Sequence, residues 1–193
     1  VWGPQKIPPP PLRRAHPRAH LPPDHTPIDD DAAELARLGR ATTGLPMTTP
    51  SDARLLIDGH AKYTALLADI ARARHHVHLE YYIYAPDHSG AALRDALVER
   101  AAAGVQVRLL LDAVGASRAR RFFAPLLAAG GEVAWFHPPR FGRIWQRTWM
   151  NMRTHRKIVV IDGRIAYTGG MNVTDEQDEQ RRSGAYRGLH LRP

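Results

Sequence analysis

The run Val105-Gln106-Val107-Arg108-Leu109-Leu110-Leu111, preceded by Gly104 and followed by Asp112, most restricts what this chain can fold into. A near-continuous apolar strand is expected when both faces of the strand are buried, as in α/β proteins. The text around it repeats strand and helix patterns in alternation. Ala53 to Ile57 reads as a short strand ending at Asp58-Gly59. Lys62 to Arg74 places Tyr63, Leu66, Leu67, Ile70 and Ala71 at helical spacing. Val77 to Tyr84 is strand-like in its aromatics and β-branched residues. Ala91 to Ala103 reads as a helix closed by Gly104 at the C′ position. Arg118 to Ala129 reads as a third helix ended by Gly130-Gly131, and Glu132 to Phe136 as a strand. Ile158 to Ile161 and Arg164 to Thr168 flank Asp162-Gly163, a favoured hairpin pair. Repeated βα units predict an α/β fold, a mixed sheet flanked by helices.

The first thirty residues differ in kind. Pro4, Pro8 to Pro11, Pro17, Pro22, Pro23 and Pro27 fix φ and remove backbone donors, so an extended linker is expected, with arginines and histidines interspersed. These charges suit either an anionic membrane face or a plain spacer. Asp29-Asp30-Asp31 then precedes a short Ala/Leu helix from Ala32 to Arg40, its acidic start matched to the helix dipole.

Thr154-His155-Arg156-Lys157, followed by Ile158-Val159-Val160-Ile161-Asp162-Gly163 and by Thr168-Gly169-Gly170-Met171-Asn172, carries the chemistry. On extended backbone His155 and Lys157 leave the same face, putting a nucleophile or acid/base beside a fixed positive charge. That combination suits attack on a phosphate diester. His155 is expected to be the nucleophile, and Lys157 to hold the non-bridging phosphate oxygens. Asn172 offers an amide donor to the same oxygens, and Gly169 and Gly170 permit close backbone approach. Asp162, the third member of the motif, sits in a tight turn and is read as support for the site, not as the nucleophile.

This pattern resembles the HKD signature of the phospholipase D superfamily: His-x-Lys, four residues, then Asp. Its flanks, Leu56-Ile57-Asp58-Gly59, His78 to Tyr84 and Gly104 to Asp112, look like the amino-terminal half of bacterial cardiolipin synthases. The resemblance runs from about Pro46 to the end and divides the chain into residues 1–45, a linker with a short helix, and residues 46–193, the catalytic domain. It implies a phospholipase D-like sandwich with a single HKD half and a phosphohistidine intermediate. It also implies phosphatidyl transfer from phosphatidylglycerol at a bacterial inner-membrane surface, with no metal or other cofactor. Because the motif occurs once, a second HKD half is expected from a further carboxyl-terminal region or from a homodimer. The chain opens on Val1, and by resemblance an upstream membrane anchor is expected. Tyr186 to Pro193 resembles a family strand reading Trp-Arg-Asp-x-His, with Gly188 at the Asp position. An acid there would orient the histidine of the opposite half.

With 193 residues, 44% of them hydrophobic, the chain suits one domain with a tail. It has no cysteine, which excludes disulfides and thiolate metal sites. A formal charge of +8 favours polyanions, anionic lipid or nucleic acid, or only solvates the surface. Arg140 to Arg153 interleaves arginines with Phe141, Trp145 and Trp149. That mixture suits a lipid interface, nucleic-acid stacking, or a surface loop with tucked-in tryptophans. His75, His76 and His78 straddle a helix end and a strand start, so they are not read as a metal site. Glu80 and Asp112 at strand ends are read as structural hydrogen-bonding groups. Two other readings stand beside the phosphatidyltransferase: a single-motif dimeric nuclease or phosphodiesterase, for which nucleic acid would be the partner, and a truncated, inactive non-enzyme.

Overall fold

The computed structural model describes residues 30–44, 50–119, 121–136 and 153–193. The proline-rich linker and the tryptophan-bearing segment after Phe136 lie outside these residues. The chain divides into two units between Pro50 and Ser51. In the first, helix α1 (Asp30–Thr43) ends at Gly44, whose φ of 68° closes the helix with a hydrogen bond from its N–H to the Arg40 carbonyl.

The second unit runs β1 (Arg54–Leu56), α2 (Gly59–Arg72), β2 (His76–Tyr81), α3 (His88–Ala102), β3 (Gln106–Asp112), α4 (Ala124–Ala128), β4 (Glu132–Phe136), β5 (Ile158–Ile161), β6 (Ile165–Gly169) and β7 (His190–Arg192). The strands form one mixed sheet in the order β1-β7-β6-β5-β2-β3-β4. β2, β3 and β4 are parallel, whereas β5, β6, β7 and β1 join by antiparallel pairings. Strand β2 is therefore the seam, with a parallel neighbour on one side and an antiparallel one on the other. The α/β architecture read from the alternating pattern is the one observed.

Helix starts are set by aspartates. Asp58 accepts from the Ala61 N–H at 2.7 Å to cap α2, and Asp87 accepts from Gly90 at 2.9 Å to cap α3. The hairpin turn between β5 and β6 has φ of 53° at Asp162 and 67° at Gly163, the doubly positive pair that matches strand twist.

The core lies on one sheet face. In register, Val77 stands opposite Val107 and Ile161, Leu79 opposite Leu109 and Val159, and Val159 opposite Tyr167. All are buried against Leu66 and Ile70 of α2, Leu93 and Leu97 of α3, and Leu126 of α4. Each such aliphatic side chain contributes about 1.5–3 kcal/mol by leaving water.

Two local expectations change. Strand β3 is not buried on both faces: Gln106 and Arg108 are exposed while Val107, Leu109 and Leu111 are buried. Helices α2, α3 and α4 pack on the face those aliphatics occupy, and the polar residues of the run alternate to the other. The expected helix from Arg118 to Ala129 is two short 3₁₀ turns, Ser117–Ala119 and Arg121–Phe123, leading into the five-residue α4. Pro125 explains the break, because its ring fits only the first turn of a helix.

Candidate active site

The functional side chains gather where the parallel strands β2 and β3 end and β5 begins. The segment 153–157 enters β5 as extended backbone, and its side chains alternate. Thr154 donates its hydroxyl to Glu80 at 2.5 Å, and Arg156 approaches the same carboxylate at 3.9 Å. His155 and Lys157 leave the other face, and Lys157 Nζ lies 3.2 Å from His155 Nδ1. Glu80 thus pins the segment to β2 and leaves the His–Lys pair free for chemistry.

His155 is exposed, with its ring 5.0 Å from that of Tyr82. Lys157 is buried; it also donates to the His155 carbonyl at 2.8 Å and lies over the Tyr82 ring at 5.7 Å. Burial lowers its pKa from the ordinary lysine value. The charge state of Lys157 restricts the tautomer of His155. An ammonium makes Nδ1 an acceptor and puts the imidazole proton on Nε2. A neutral amine can either donate to Nδ1 or accept from Nδ1–H, and only the second arrangement leaves the Nε2 lone pair free.

Asp162 lies at the far end of β5 and makes no hydrogen bond to His155 or Lys157. Its carboxylate accepts from the backbone N–H groups of Arg74, His75 and His76 at 2.9, 2.8 and 2.9 Å. Burial opposes its charge, but these bonds outweigh it and hold the carboxyl at about 2. The residue ties the β5–β6 hairpin to the start of β2.

Asn172 lies in the turn after β6. Its Oδ1 accepts from the Ile83 N–H at 3.2 Å, which leaves the carboxamide NH₂ as its donor. Parallel bridging of Tyr84 with Val173 sets this juxtaposition. Gly169 and Gly170 differ in what they do. A Cβ on Gly169 would fall 2.3 Å from the Leu189 carbonyl oxygen and 2.8 Å from His190 Nδ1, so this glycine serves the approach of β7. A Cβ on Gly170 would meet nothing closer than 3.9 Å, so close packing does not require glycine there; its N–H donates to Leu189 at 2.9 Å. Gly188 gives its space to the buried Met171: a Cβ there would stand 2.6 Å from Met171 Cγ.

The structure adds two groups that the motif does not name. Lys62 of α2 is fully buried and donates to the carbonyls of Met171 and Asn172 at 3.2 and 2.7 Å. Burial and then the charge of Lys157 lower its pKa to about 7. His190 is also fully buried, and burial, Lys62 and Lys157 lower it to about 3, so it is neutral. Its Nδ1 accepts from the Met171 N–H at 3.4 Å, which places the proton on Nε2, an atom without a hydrogen-bond partner among the described residues. Lys62 sat within the helical pattern of α2, where a single lysine reads as surface. A lysine between the Asp58-Gly59 helix start and the apolar positions Tyr63, Leu66 and Ile70 was the available signal.

Asp112 is fully buried at the end of β3. Its Oδ1 accepts from Val114 and Gly115, and Arg153 approaches at 3.8 Å. Of the three histidines near β2, the rings of His76 and His78 lie 4.7 Å apart. Among the described residues no cluster of three or more His, Cys, Asp or Glu is placed to hold a metal ion.

Residues 66–182 match the family described as "Cardiolipin synthase, PLD-like domain". The chain belongs to that family. Over 147 residues this PLD-like domain is 44% identical to the major cardiolipin synthase ClsA of Bacillus subtilis, covering 75% of the chain and 30% of that protein. It is 36% identical to cardiolipin synthase 1 of Bacillus cereus over 168 residues, covering 86% and 33%. The chain therefore spans about a third of the length of these relatives. Among solved structures, NucT from Helicobacter pylori shares the fold with a TM-score of 0.51 at 15% identity, covering 73% of this chain and 84% of that one. The match of the family contains His155, Lys157, Asp162 and Asn172, whereas Lys62 and His190 fall just outside its bounds.

Proposed function

We propose that this PLD-like domain is one HKD half of a cardiolipin synthase-like phosphatidyltransferase. The observation that carries the reading is the His155–Lys157 pair, an exposed imidazole held 3.2 Å from a buried amine, at the strand ends of a domain in this family. Lys157 and the Asn172 amide bind the non-bridging oxygens of a phosphatidylglycerol phosphate. An unprotonated ring nitrogen of His155 attacks phosphorus, the P–O bond to glycerol breaks, and a proton passes to the leaving alkoxide. The hydroxyl of a second phosphatidylglycerol then attacks the phosphohistidine, giving cardiolipin and restoring the imidazole. Asp162 supports this arrangement by fixing the β5–β6 hairpin and takes no part in bond making.

The proton donor to the leaving group comes from a second HKD half, supplied by another region of a longer protein or by a second copy of the chain. The substrate places the domain at the anionic face of a bacterial inner membrane. Among the described residues no helix is long and apolar enough to cross a membrane.

Incubation with phosphatidylglycerol vesicles, and separately with plasmid DNA, tests the assignment. Cardiolipin and glycerol from the vesicles, lost on His155→Ala, support it. Nicked DNA with no lipid product would sink it in favour of a nuclease, and equal inactivity of parent and variant in every assembly state would favour a non-enzyme.

A further inference from the structure

We infer that Lys62 is a positioning residue of the phosphate site: it clamps the Met171–Asn172 turn, and it takes up a proton from solvent when negative charge arrives beside Lys157. The inference rests on the phosphate site described above and adds to it a residue that the motif does not contain.

The geometry is that of a cation kept without a counter-ion. Lys62 is completely buried, and no carboxylate pairs with it among the described residues. The groups facing it are the carbonyls of Met171 and Asn172, the ring faces of Tyr63 at 4.8 Å and Tyr81 at 5.1 Å, and the positive or neutral Lys157 and His190. Asp87 and Asp178 act on the Tyr63 phenol beside it, and neither pairs with Lys62. A neutral amine has two N–H bonds, and the two carbonyls accept both. The clamp on the turn therefore holds whether the amine is charged or not, and the third proton is the one free to come and go.

The choice of residue points the same way. The sequence holds 27 lysines and arginines, of which only Lys6, Lys62 and Lys157 are lysine. Lys62 and Lys157 are both buried, and burial lowers the pKa of each. In a chain that otherwise carries its positive charge on arginine, lysine stands where a compact amine able to lose its proton is wanted. A guanidinium cannot discharge in this way. Two neighbouring buried amines hold less than two full charges until an anion compensates them. An oxyanion at Lys157 supplies that compensation, so Lys62 charges as the site fills and the positive field strengthens when the phosphate is present to use it.

Lysine labelled with ¹³C at Cε gives three NMR signals, assigned by elimination with Lys6→Arg and Lys157→Arg. No variant at Lys62 is needed, so folding of such a variant does not limit the test. Titration in sodium sulfate, a tetrahedral oxyanion that does not itself titrate near neutrality, is compared with sodium chloride at equal ionic strength. The expected result is a Lys62 midpoint near neutral pH in chloride that rises by about one unit or more in sulfate, with the Lys157 signal also displaced. A Lys62 midpoint at the ordinary lysine value, or one unmoved by sulfate while Lys157 responds, overturns the role of Lys62 and leaves the phosphate site standing. If neither signal responds, both the site and the inference fall.

Discussion

Lys157 Nζ lies 3.2 Å from Nδ1 of His155, close enough that a charged amine takes Nδ1 as its acceptor and leaves the imidazole proton on Nε2. The pair therefore acts as a unit. His155→Ala is expected to abolish transfer of a labelled phosphatidyl group to the protein. Lys157→Met is expected to retain His155 but slow transfer by about 10²–10³-fold, the usual cost of one lost charge-stabilising donor. Rapid-quench labelling under alkaline conditions, where phosphohistidine survives, distinguishes the two. Equal labelling by His155→Ala would remove it as nucleophile.

Asp162 makes a pH-dependent contribution to stability. Its folded pKa of about 2 lies below the ordinary 3.8, so the charged form is favoured in the fold. That stabilisation is complete above pH 4 and declines as pH falls from about 4 towards 2. Asp162→Asn is expected to unfold about 1–2 kcal/mol more readily than the parent at pH 7, with the gap closing at pH 3. Urea titrations at both values check it; a gap that widens in acid would be the contrary result.

A buried carboxylate joins α2 to the sheet. Asp69 accepts from Arg192 Nε at 2.7 Å and Nη2 at 3.2 Å, and the Tyr167 hydroxyl donates to it. Burial opposes its charge, but these partners outweigh it and keep the pKa below the usual value. Asp69→Ala leaves Arg192 and Tyr167 without their acceptor and is expected to cost about 3–5 kcal/mol. Tyr167→Phe removes one bond and is expected to cost about 1–2 kcal/mol. Thermal unfolding should rank them in that order.

The Gly188–Met171 contact predicts a coupling. Gly188→Ala places a methyl group against Met171 and is expected to destabilise by about 1–3 kcal/mol. Combined with Met171→Ala, the added methyl should cost less than it does alone, because the obstructing side chain is gone. A double-mutant cycle in urea measures the difference, and strict additivity would contradict the contact.

The sequence made the alternating architecture legible because its signals are local. Asp162-Gly163 dictates a hairpin, and Gly104 ends a helix. The same-face relation of His155 and Lys157 followed from period two alone. What escaped reading depends on contacts distant in sequence. Arg108 looks like an interruption of a buried strand until the sheet shows which face the helices cover. Lys62 looks like surface until Met171 and Asn172 fold over it. The apolar spacing from Arg118 to Ala129 favours a continuous helix, and Pro125 marks where it breaks.

Strand β1 pairs with β7, joining Arg54 to Arg192, while Lys62 meets the turn at Met171. Contacts of such long range form late, since closing a large loop costs entropy before pairing repays it. Helix α2 is therefore expected to form before its partners in the sheet, and the Lys62 amine to stay in water until the Met171–Asn172 turn closes over it. Acquisition of the active geometry should then coincide with the last cooperative phase of folding. A ribosome-bound chain that had emerged only as far as β6 would carry His155 and Lys157 without the Asn172 amide or the turn that Lys62 clamps.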